Sequence, residues 1–338
     1  MSEEKRLLNV SASPHFRSND TVTGIMLDVI IAMVPSLLAS TYIFGLRVLL
    51  VTAVSVVSCV GFEFISRKVM KRHNTLADLS AVVTGMLLAF NLPVDIPLAM
   101  VVIGAAVAII VAKQFFGGIG QNFVNPALVG RIVLMVSFPV YMSNYGMPFA
   151  WQHKGVDIVT TATPLQALGN VADKADISSA ELPSLMYMLM GIRQGSIGEV
   201  CALALLLGFI YLLIRKVIKP TIPLCFVGTV ALIMLIAGKG NFEFVGYEVL
   251  SGGLLLGAIF MATDYTTSPV NFKGQVIFAI GCGLITSVIR LFGSLPEGVS
   301  FSIIIMNILV PQIEKFTTPK PFGTVKEKKV KKAKEAVE

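Results

Sequence analysis

Charged residues are scarce in this sequence, since Asp, Glu, Lys and Arg make up only 14% of its 338 residues. An ordinary soluble domain contains about 25%. The mean hydropathy of +0.80 agrees with that scarcity. The sequence also has no Gly-rich phosphate loop, no HExxH and no GxSxG, so it gives no support for a hydrolase or a nucleotide-binding enzyme.

Metal-binding patterns are lacking as well. The four cysteines, Cys59, Cys201, Cys225 and Cys282, stand singly in apolar runs, without a CxxC pair. The three histidines lie far apart in polar stretches. This distribution predicts buried structural thiols and no metal site.

Long hydrophobic runs are what the sequence does contain. Runs of about 18–22 apolar residues predict a helical protein that crosses a membrane several times, because about 20 such residues span the bilayer core. Residues 1–20 are polar and show no cleavage site, so we expect no removable signal peptide. The net charge of +7 does not indicate a nucleic-acid partner, since the basic residues cluster beside apolar runs and in the tail.

Ten membrane spans are predicted from these runs. They cover residues 22–43, 47–66, 78–92, 97–115, 126–142, 197–214, 220–237, 248–262, 274–292 and 299–314. The positive-inside rule then places the N-terminal segment 1–21, the basic segments 67–72 and 215–219, and the basic tail 315–338 in the cytoplasm. The polar segment 143–196 faces outward from the cell membrane.

The two halves of the membrane region, residues 22–142 and 197–314, resemble each other. Residues 85–90 in the short third span parallel residues 253–258 in the short eighth span. Five spans in each half require the second half to be inverted relative to the first, and such repeats usually place a site near the membrane centre. The alternative is a chance match between apolar segments.

Two polar breaks, residues 116–126 and 263–269, interrupt the apolar pattern. As ordinary loops they would only satisfy backbone groups at the ends of spans. As the lining of a cavity they would offer oxygen and amide groups to a ligand, and the inverted symmetry favours this second interpretation. The polar side chains in question are those of Asn122, Asn125, Asp264 and Thr266.

Of the charged residues inside or beside predicted spans, we single out three, among which Asp28 is the clearest acidic one. Asp28 is in the first span, where a central carboxylate costs at least about 2.5 kcal/mol, so it is a candidate for the same ligand or ion cavity. Its position near the cytoplasmic end also allows it to reach water or a partner subunit. Arg131 and Arg290 would either pair with a ligand phosphate or ring oxygen, or extend their charged ends to water.

A small polar island, residues 157–165, lies in the outward segment and reads Asp-Ile-Val-Thr-Thr-Ala-Thr-Pro-Leu. Taken alone, hydroxyl and acidic residues before proline are ordinary turn or helix-cap chemistry. Together with residues 78–93, 117–131, 261–269 and 297–302, however, the island resembles a family of redox-pump subunits. That family comprises the RnfD component of the Rnf ion-translocating oxidoreductase complex and the NqrB component of the sodium-pumping NADH:quinone reductase.

In that family a flavin transferase attaches FMN, through a phosphoester, to the last threonine of the motif Asp-x-x-Ser/Thr-x-Ala-Thr. The resemblance implies that Thr163 is the acceptor and that Asp157, Thr160 and Ala162 occupy the other motif positions. Glycine is common where this chain has Thr161, which places a second hydroxyl near the acceptor.

The resemblance further implies an all-α integral membrane fold of two inverted five-helix repeats, like that of urea-type channels. It implies a second, non-covalent flavin, riboflavin, among the helices. It also implies one component of a multi-subunit membrane complex that moves electrons between ferredoxin and NAD, coupled to Na⁺ or H⁺ transport, without itself holding the NAD or ferredoxin site.

Two other functions remain as alternatives. One is a stand-alone channel or transporter for a small polar solute, and the other is a purely structural membrane subunit. The basic tail is either a solvated helix or a contact with anionic membrane lipid or a cytoplasmic subunit.

Overall fold

The computed structural model describes residues 21–73, 75–152, 163–170, 174, 182–293 and 297–319. Within these ranges the chain is helical and contains no strand, which confirms the all-α prediction. Asp157, Thr160 and Ala162 of the polar island lie outside the described residues. The basic tail from residue 320 onward lies outside them too.

Fourteen α-helices follow one another along the described chain. They are α1 (Val22–Phe44), α2 (Arg47–Val69), α3 (Ser80–Phe90), α4 (Leu98–Ala106), α5 (Pro126–Ser137), α6 (Pro139–Met142), α7 (Pro164–Asn170), α8 (Leu185–Met190), α9 (Ala202–Ile214), α10 (Thr221–Ala237), α11 (Phe242–Leu250), α12 (Leu254–Leu256), α13 (Phe272–Phe292) and α14 (Val299–Thr317). Two π-helical segments directly continue α4 and α12. We call them the α4 continuation (Val107–Gln114) and the α12 continuation (Gly257–Met261).

Four of these helices, α1, α2, α13 and α14, are long and apolar enough to cross a membrane. The number rises to five if α11 and α12 with its continuation, which meet at an angle of 64°, form one broken span. Shorter apolar helices coincide with the remaining predicted runs: α3, α4 with its continuation, α5, α9 and α10. The prediction of a protein with several membrane-crossing helices is therefore supported by length and composition.

The helix boundaries depart from the predicted runs where capping residues and breaks override hydropathy. The eighth run is predicted at 248–262, but α11 begins at Phe242 because Asn241 Oδ1 accepts the N–H groups of Glu243 and Phe244, at 2.9 and 3.2 Å. The same run is interrupted after α11, where Gly252 adopts a left-handed φ of 64°. The fifth run divides at Phe138, just before Pro139, because proline lacks an N–H group and disfavours the helical conformation of the residue before it.

The bundle has two ends, which we name by residues that lie there. At the basic end, Lys216 and Lys219, which follow α9, line one groove with Gln275 at the start of α13. At the opposite end, Arg290 of α13 lies close to Leu165 of α7, since a Cβ atom on Gly252 would contact both side chains. Thr163 immediately precedes α7, so we call this second end the Thr163 end.

The helices α2 and α3 approach each other closely at Gly85. A Cβ atom placed on Gly85 would lie 2.7 Å from Val56 Cα. Ser55 Oγ donates a hydrogen bond of 2.7 Å to the Gly85 carbonyl oxygen. Small residues commonly permit such contacts between membrane helices. The contact at Gly85 positions α3, which forms part of the wall of the cavity described below.

A buried ion pair joins α2 to the α4 continuation. Lys113 Nζ lies 2.9 Å from Glu63 Oε2 and donates to Ser80 Oγ of α3 at 2.6 Å. Gln114 Nε2 donates to the other Glu63 oxygen at 2.9 Å. Both charged side chains are almost completely removed from solvent, so each depends on the other for compensation of its charge.

We expect Gly85→Ala to lower the melting temperature in detergent, because the added methyl group overpacks the α2–α3 contact at a cost of about 1–3 kcal/mol. Gly61→Ala is the matched control, since it lies within α2 and a Cβ there meets no atom within 4 Å. Replacing a helix-interior glycine in open space stabilises by about 0.5–1 kcal/mol. Equal melting temperatures for the two variants would contradict the close approach.

We expect Lys113→Met to destabilise the protein by about 3–5 kcal/mol, because it leaves the Glu63 carboxylate buried without its cation. The double variant Glu63→Gln/Lys113→Met removes both charges and should recover most of that loss. Thermal unfolding in detergent measures both. A double variant that is no more stable than Lys113→Met would show that the stability of the protein does not depend on this ion pair.

Candidate functional site

Thr163 precedes α7, and the two residues Thr163 and Gln166 form reciprocal backbone-to-side-chain hydrogen bonds. The N–H of Gln166 donates to Thr163 Oγ1 at 3.3 Å, and the N–H of Thr163 donates to Gln166 Oε1 at 3.1 Å. This is a capping box, and Pro164 at the first helical position is pre-shaped for the helix that follows. The local sequence Thr-Pro-Leu-Gln thus fixes the Thr163 hydroxyl, and the side chain is only 7% exposed.

The helix α7 rests against the break between α11 and α12. Leu165 is buried, and a Cβ atom on Gly252 would lie 2.9 Å from Leu165 Cδ2 and 3.1 Å from Arg290 Nη2. At the other end of α7, Lys174 Nζ donates to the carbonyl oxygen of Leu168 at 2.6 Å. Helix α7 is therefore held at both ends, with Leu165 close to a buried arginine.

Arg290 is paired with Glu248 of α11 in this position. Its Nη1 donates to Glu248 O at 2.6 Å and to Glu248 Oε2 at 3.0 Å, and its Nη2 donates to Ser251 O at 3.1 Å. The side chain is 1% exposed, so of the two expectations for Arg290 the one that extends its charge to water is wrong. Arg290 Nε and Ser251 Oγ are buried without a hydrogen-bond partner among the described residues.

Arg131 of α5 forms a second buried cluster at the Thr163 end. Its Nη1 donates to Asn91 Oδ1 at 2.9 Å and to Ser300 Oγ at 2.8 Å, and its Nη2 pairs with Glu297. Tyr145 Oη donates to the second Glu297 oxygen at 3.0 Å. Burial, reinforced by the Glu199 carboxylate, raises the pKa of Tyr145 to about 12, so the phenol remains a donor at neutral pH. Arg131, like Arg290, does not reach water.

A third buried arginine, Arg193, lies between α8 and α9. Its Nη2 donates to Glu199 O at 2.7 Å, and its Nε donates to Val200 O at 3.3 Å. Burial lowers the pKa of Arg193, and the Glu199 carboxylate opposes that shift. Sequence reasoning did not single out Arg193, which lies outside the predicted spans, or Glu199, which lies at the start of the span predicted at 197–214.

At the basic end, a cavity lies between the two polar breaks. Its empty space is about 810 Å³, counting the part that is open to solvent. Apolar residues of α1, α3 and the α12 continuation form most of its wall. The polar residues that line it include four expected from the sequence, Asn122, Asn125, Asp264 and Thr266, together with Ser80 and Lys113. The structure thus brings together residues from opposite halves of the chain.

The polar groups of the cavity differ in whether they already have hydrogen-bond partners within the protein. Asn125 Oδ1 accepts the N–H of Ala127 at 3.1 Å, which caps α5. Asp264 Oδ2 accepts the hydroxyl of Thr266 at 3.2 Å. Asn122 Oδ1, by contrast, is buried and has no partner among the described residues. An amide oxygen without a donor, set among apolar walls, can accept a hydrogen bond from an N–H or O–H group of a ligand.

Asp28 lies outside this cavity, in a neighbouring groove. It accepts the Tyr211 hydroxyl at 2.8 Å and Arg215 Nε at 3.2 Å. The groove that it lines also contains Tyr265, which is shared with the cavity. The structure therefore does not place Asp28 beside the four cavity residues with which it was grouped.

Glu63 and Lys113 are the functional candidates that sequence reasoning missed. Asp28 was identified as the clearest acid inside a span, yet it is 9% exposed whereas Glu63 is fully buried. The signal was present in the sequence, because Glu63 lies within the second predicted span and Lys113 within the fourth. No group of three or more His, Cys, Asp or Glu in the described part of the chain is arranged to hold a metal ion.

Comparison with known proteins connects this geometry to a family. The profile described as the NQR2, RnfD, RnfE family matches residues 9–323. The D component of the "Na(+)-translocating ferredoxin:NAD(+) oxidoreductase complex" of Acetobacterium woodii is 45% identical, over 96% of this chain and 98% of its own length. The D component of the "Proton-translocating ferredoxin:NAD(+) oxidoreductase complex" of Clostridium ljungdahlii is 42% identical, over 95% and 98%.

A more distant relative shows the same agreement over the chain. The D component of the "Ion-translocating oxidoreductase complex" of Stutzerimonas stutzeri is 34% identical, over 90% of this chain and 92% of its own length. The family match at residues 9–323 includes both polar breaks, the Thr163 region and the last helices. The chain belongs to the NQR2, RnfD, RnfE family.

Proposed function

We propose that this chain is a membrane subunit of a redox-driven Na⁺ or H⁺ pump and that it carries FMN on Thr163 through a phosphoester. In this role it relays electrons between ferredoxin and NAD without holding either of their sites. The names of the relatives, both Na⁺- and proton-translocating, support the pump and its substrates. Family membership favours this role over a stand-alone channel or a purely structural subunit.

The attachment site rests on one observation, the capping box that fixes the Thr163 hydroxyl. Its Oγ1 accepts a single N–H, from Gln166, so its own proton is not required for the cap. Two polar atoms without partners in the described ranges, Arg290 Nε and Ser251 Oγ, belong to the region against which α7 rests. The flavin would supply reversible electron transfer there, and a covalent bond to Thr163 would keep it from diffusing away.

The membrane arrangement that goes with this proposal has ten spans in two inverted repeats, residues 22–142 and 197–314. Some corresponding helices pack alike in both halves, since α2 contacts α4 as α10 contacts α13. The first spans of the two halves, α1 and α9, pack on each other. The ends of the short third and eighth spans meet where Asn91 Nδ2 lies 3.7 Å from Met261 Sδ, as expected for repeats that build a central site.

The orientation follows from the charges. The basic end, with Arg67 and Lys68 at the end of α2 and the lysines after α9, faces the cytoplasm. The Thr163 end, with the segment 143–196, faces outward. The basic tail, which lies mostly outside the described residues, would contact anionic lipid or a cytoplasmic subunit, and a flavin transferase would be the partner for maturation.

The cavity at the basic end is the proposed site of a second, non-covalent flavin, riboflavin. Asn122 Oδ1 offers an unused acceptor, and Ile25, Val83 and Phe260 are among the apolar walls that a ring would contact. The ammonium of Lys113, whose charge is compensated by Glu63, lines the same cavity and could donate a hydrogen bond there. Electrons would then have carriers near both ends of the bundle.

We expect Thr163→Ala to abolish covalent flavin, because it removes the acceptor oxygen. The protein is produced with the flavin transferase, denatured and examined for flavin fluorescence in a gel. Thr161→Ala is the matched control and should keep the signal. Thr163→Ser, which retains a hydroxyl that can cap the helix, should keep it as well. Covalent flavin that persists in Thr163→Ala would refute the assignment.

We expect Asn122→Leu to reduce non-covalent flavin several-fold, because the leucine side chain removes the acceptor and fills the space beside it. The flavin released by denaturation is quantified chromatographically, while the covalent flavin on the same sample should be unchanged. Asp28→Asn, in the neighbouring groove, serves as the control and should retain both flavins. Unchanged release from Asn122→Leu would exclude this cavity as the flavin site.

A further inference from the structure

Helix α1 exposes a stripe of apolar side chains along one face. The side chains of the stripe recur every three or four residues and are all exposed: Leu27, Ile31, Val34 and Leu38. This spacing places them on one side of the helix. The stripe continues to Tyr42 and extends over about 22 Å at the rise of an α-helix. It is therefore long enough to face most of the hydrocarbon core of a bilayer, which is about 30 Å thick.

The stripe ends in an aromatic surface at the Thr163 end. Asp28, near the start of α1, pairs with Arg215 at the basic end, at 3.2 Å. The last turn of α1, which carries Tyr42, therefore lies at the opposite end. Leu46, in the turn between α1 and α2, and Trp151 are exposed there as well. We call Tyr42, Leu46 and Trp151 together the Tyr42 patch.

The Tyr42 patch holds the start of the segment that follows α6. The N–H of Phe149 donates to Ile43 O at 2.8 Å, and the Phe149 ring meets the Tyr42 ring edge to face, with the ring centres 5.8 Å apart. The Trp151 indole lies against Gly45, since a Cβ atom there would lie 3.0 Å from Trp151 Cγ. The φ of 82° at Gly45 favours glycine. The segment is thus fixed to the turn between two membrane-crossing helices.

Exposed tyrosine and tryptophan side chains lie at the two ends of the bundle. Among the described residues they are Tyr42, Tyr141, Trp151, Tyr187 and Tyr265. Tyr265 lies at the basic end, and the other four lie at the Thr163 end, in or beside α1, α6 and α8. Such rings collect at membrane–water boundaries, because one part of the ring is apolar and the other can bond to headgroups and water. This distribution favours lipid as the material that covers the Tyr42 patch.

The charged residue beside the patch is already bonded to another part of the protein. Arg47 follows Leu46, and its Nε donates to Val94 O at 2.9 Å and lies 3.7 Å from Asp95 Oδ1. The patch itself contains no charged side chain. Aromatic and aliphatic side chains bordered by an arginine are the composition expected where a span leaves the hydrocarbon core.

We propose that the Tyr42 patch lies in the headgroup region of the lipid bilayer at the Thr163 end and holds residues 143–152 on the membrane surface. Its partner is the phospholipid of the bilayer, which the two aromatic rings and Leu46 contact. The part of the chain that leads from Trp151 to Thr163 therefore begins at the membrane surface and not in open water. This surface is independent of whether a flavin is attached to Thr163.

The test uses the fluorescence of Trp151, which is the only tryptophan of the chain. The full-length protein is reconstituted in phosphatidylcholine vesicles whose acyl chains carry bromine either near the headgroup or near the terminal methyl group. Bromine near the headgroup should quench Trp151 several-fold more strongly than the deeper bromine. Iodide on both sides of the membrane should quench it little. A bound flavin lowers all signals alike, so the ratios of quenching are compared.

The control moves the tryptophan to the middle of a membrane-crossing helix. Leu284 of α13 is 50% exposed, as is Trp151, so Trp151→Phe/Leu284→Trp changes the depth of the tryptophan without changing its exposure. The deeper bromine should quench this variant more strongly. If Trp151 is quenched by iodide and by neither lipid, the patch faces water and is free for a protein partner. If the deeper bromine quenches Trp151 more strongly, the patch lies within the hydrocarbon core. Either result would overturn the proposal.

A second comparison tests whether the patch holds the segment in place. Tyr42→Ser/Leu46→Ser removes the two lipid-contacting side chains beside Trp151 and should raise its quenching by iodide several-fold. Tyr187→Ser is the matched control, because it removes an exposed tyrosine at the same end, and it should leave the quenching unchanged. Equal quenching by iodide in these two variants would show that the patch does not hold Trp151 at the membrane.

Discussion

The requirement that every charge in the apolar interior find a partner within the protein determines how these helices are arranged. Water is not available there to compensate an isolated carboxylate or ammonium. Glu63 pairs with Lys113, Glu248 with Arg290, and Glu297 with Arg131. Each pair joins elements that are distant in the sequence, so the pairs fix which helices are neighbours and at what depth.

The same pairs divide the polar chemistry between the two ends of the bundle. At the basic end, Lys113 and Asn122 face one cavity that both polar breaks enclose. At the Thr163 end, three arginines surround the break before α12, against which α7 rests. Both places retain buried polar atoms without partners in the described ranges. Two carriers held at opposite ends would suit a relay across the membrane, with the helix bundle as a rigid spacer.

Much of this could be predicted from the sequence, for a physical reason. A helix that crosses a lipid bilayer needs a long apolar run, so the length and hydropathy of the runs locate the helices. The two polar breaks indicate the cavity that Asn122 and Asp264 line. Charge pairing leaves no such local pattern. Nothing in the local sequence of Glu63 indicates that its partner lies fifty residues later, and Asp28 was favoured although it has an exposed arginine beside it. The break at Gly252 was missed because the run at 248–262 was assigned from its average hydropathy, although Ser251, Gly252 and Gly253 form the Ser-Gly and Gly-Gly pairs that mark turns.

The ion pair between Glu63 and Lys113 has a consequence for biogenesis. Helix α2 emerges from the ribosome with a carboxylate in an apolar segment, and the lysine that neutralises it is made only after α3 and α4. Until then the Glu63 charge lacks its cation, which makes the burial of α2 in lipid less favourable. We therefore expect α2 to reach its final position only together with α3 and the α4 continuation.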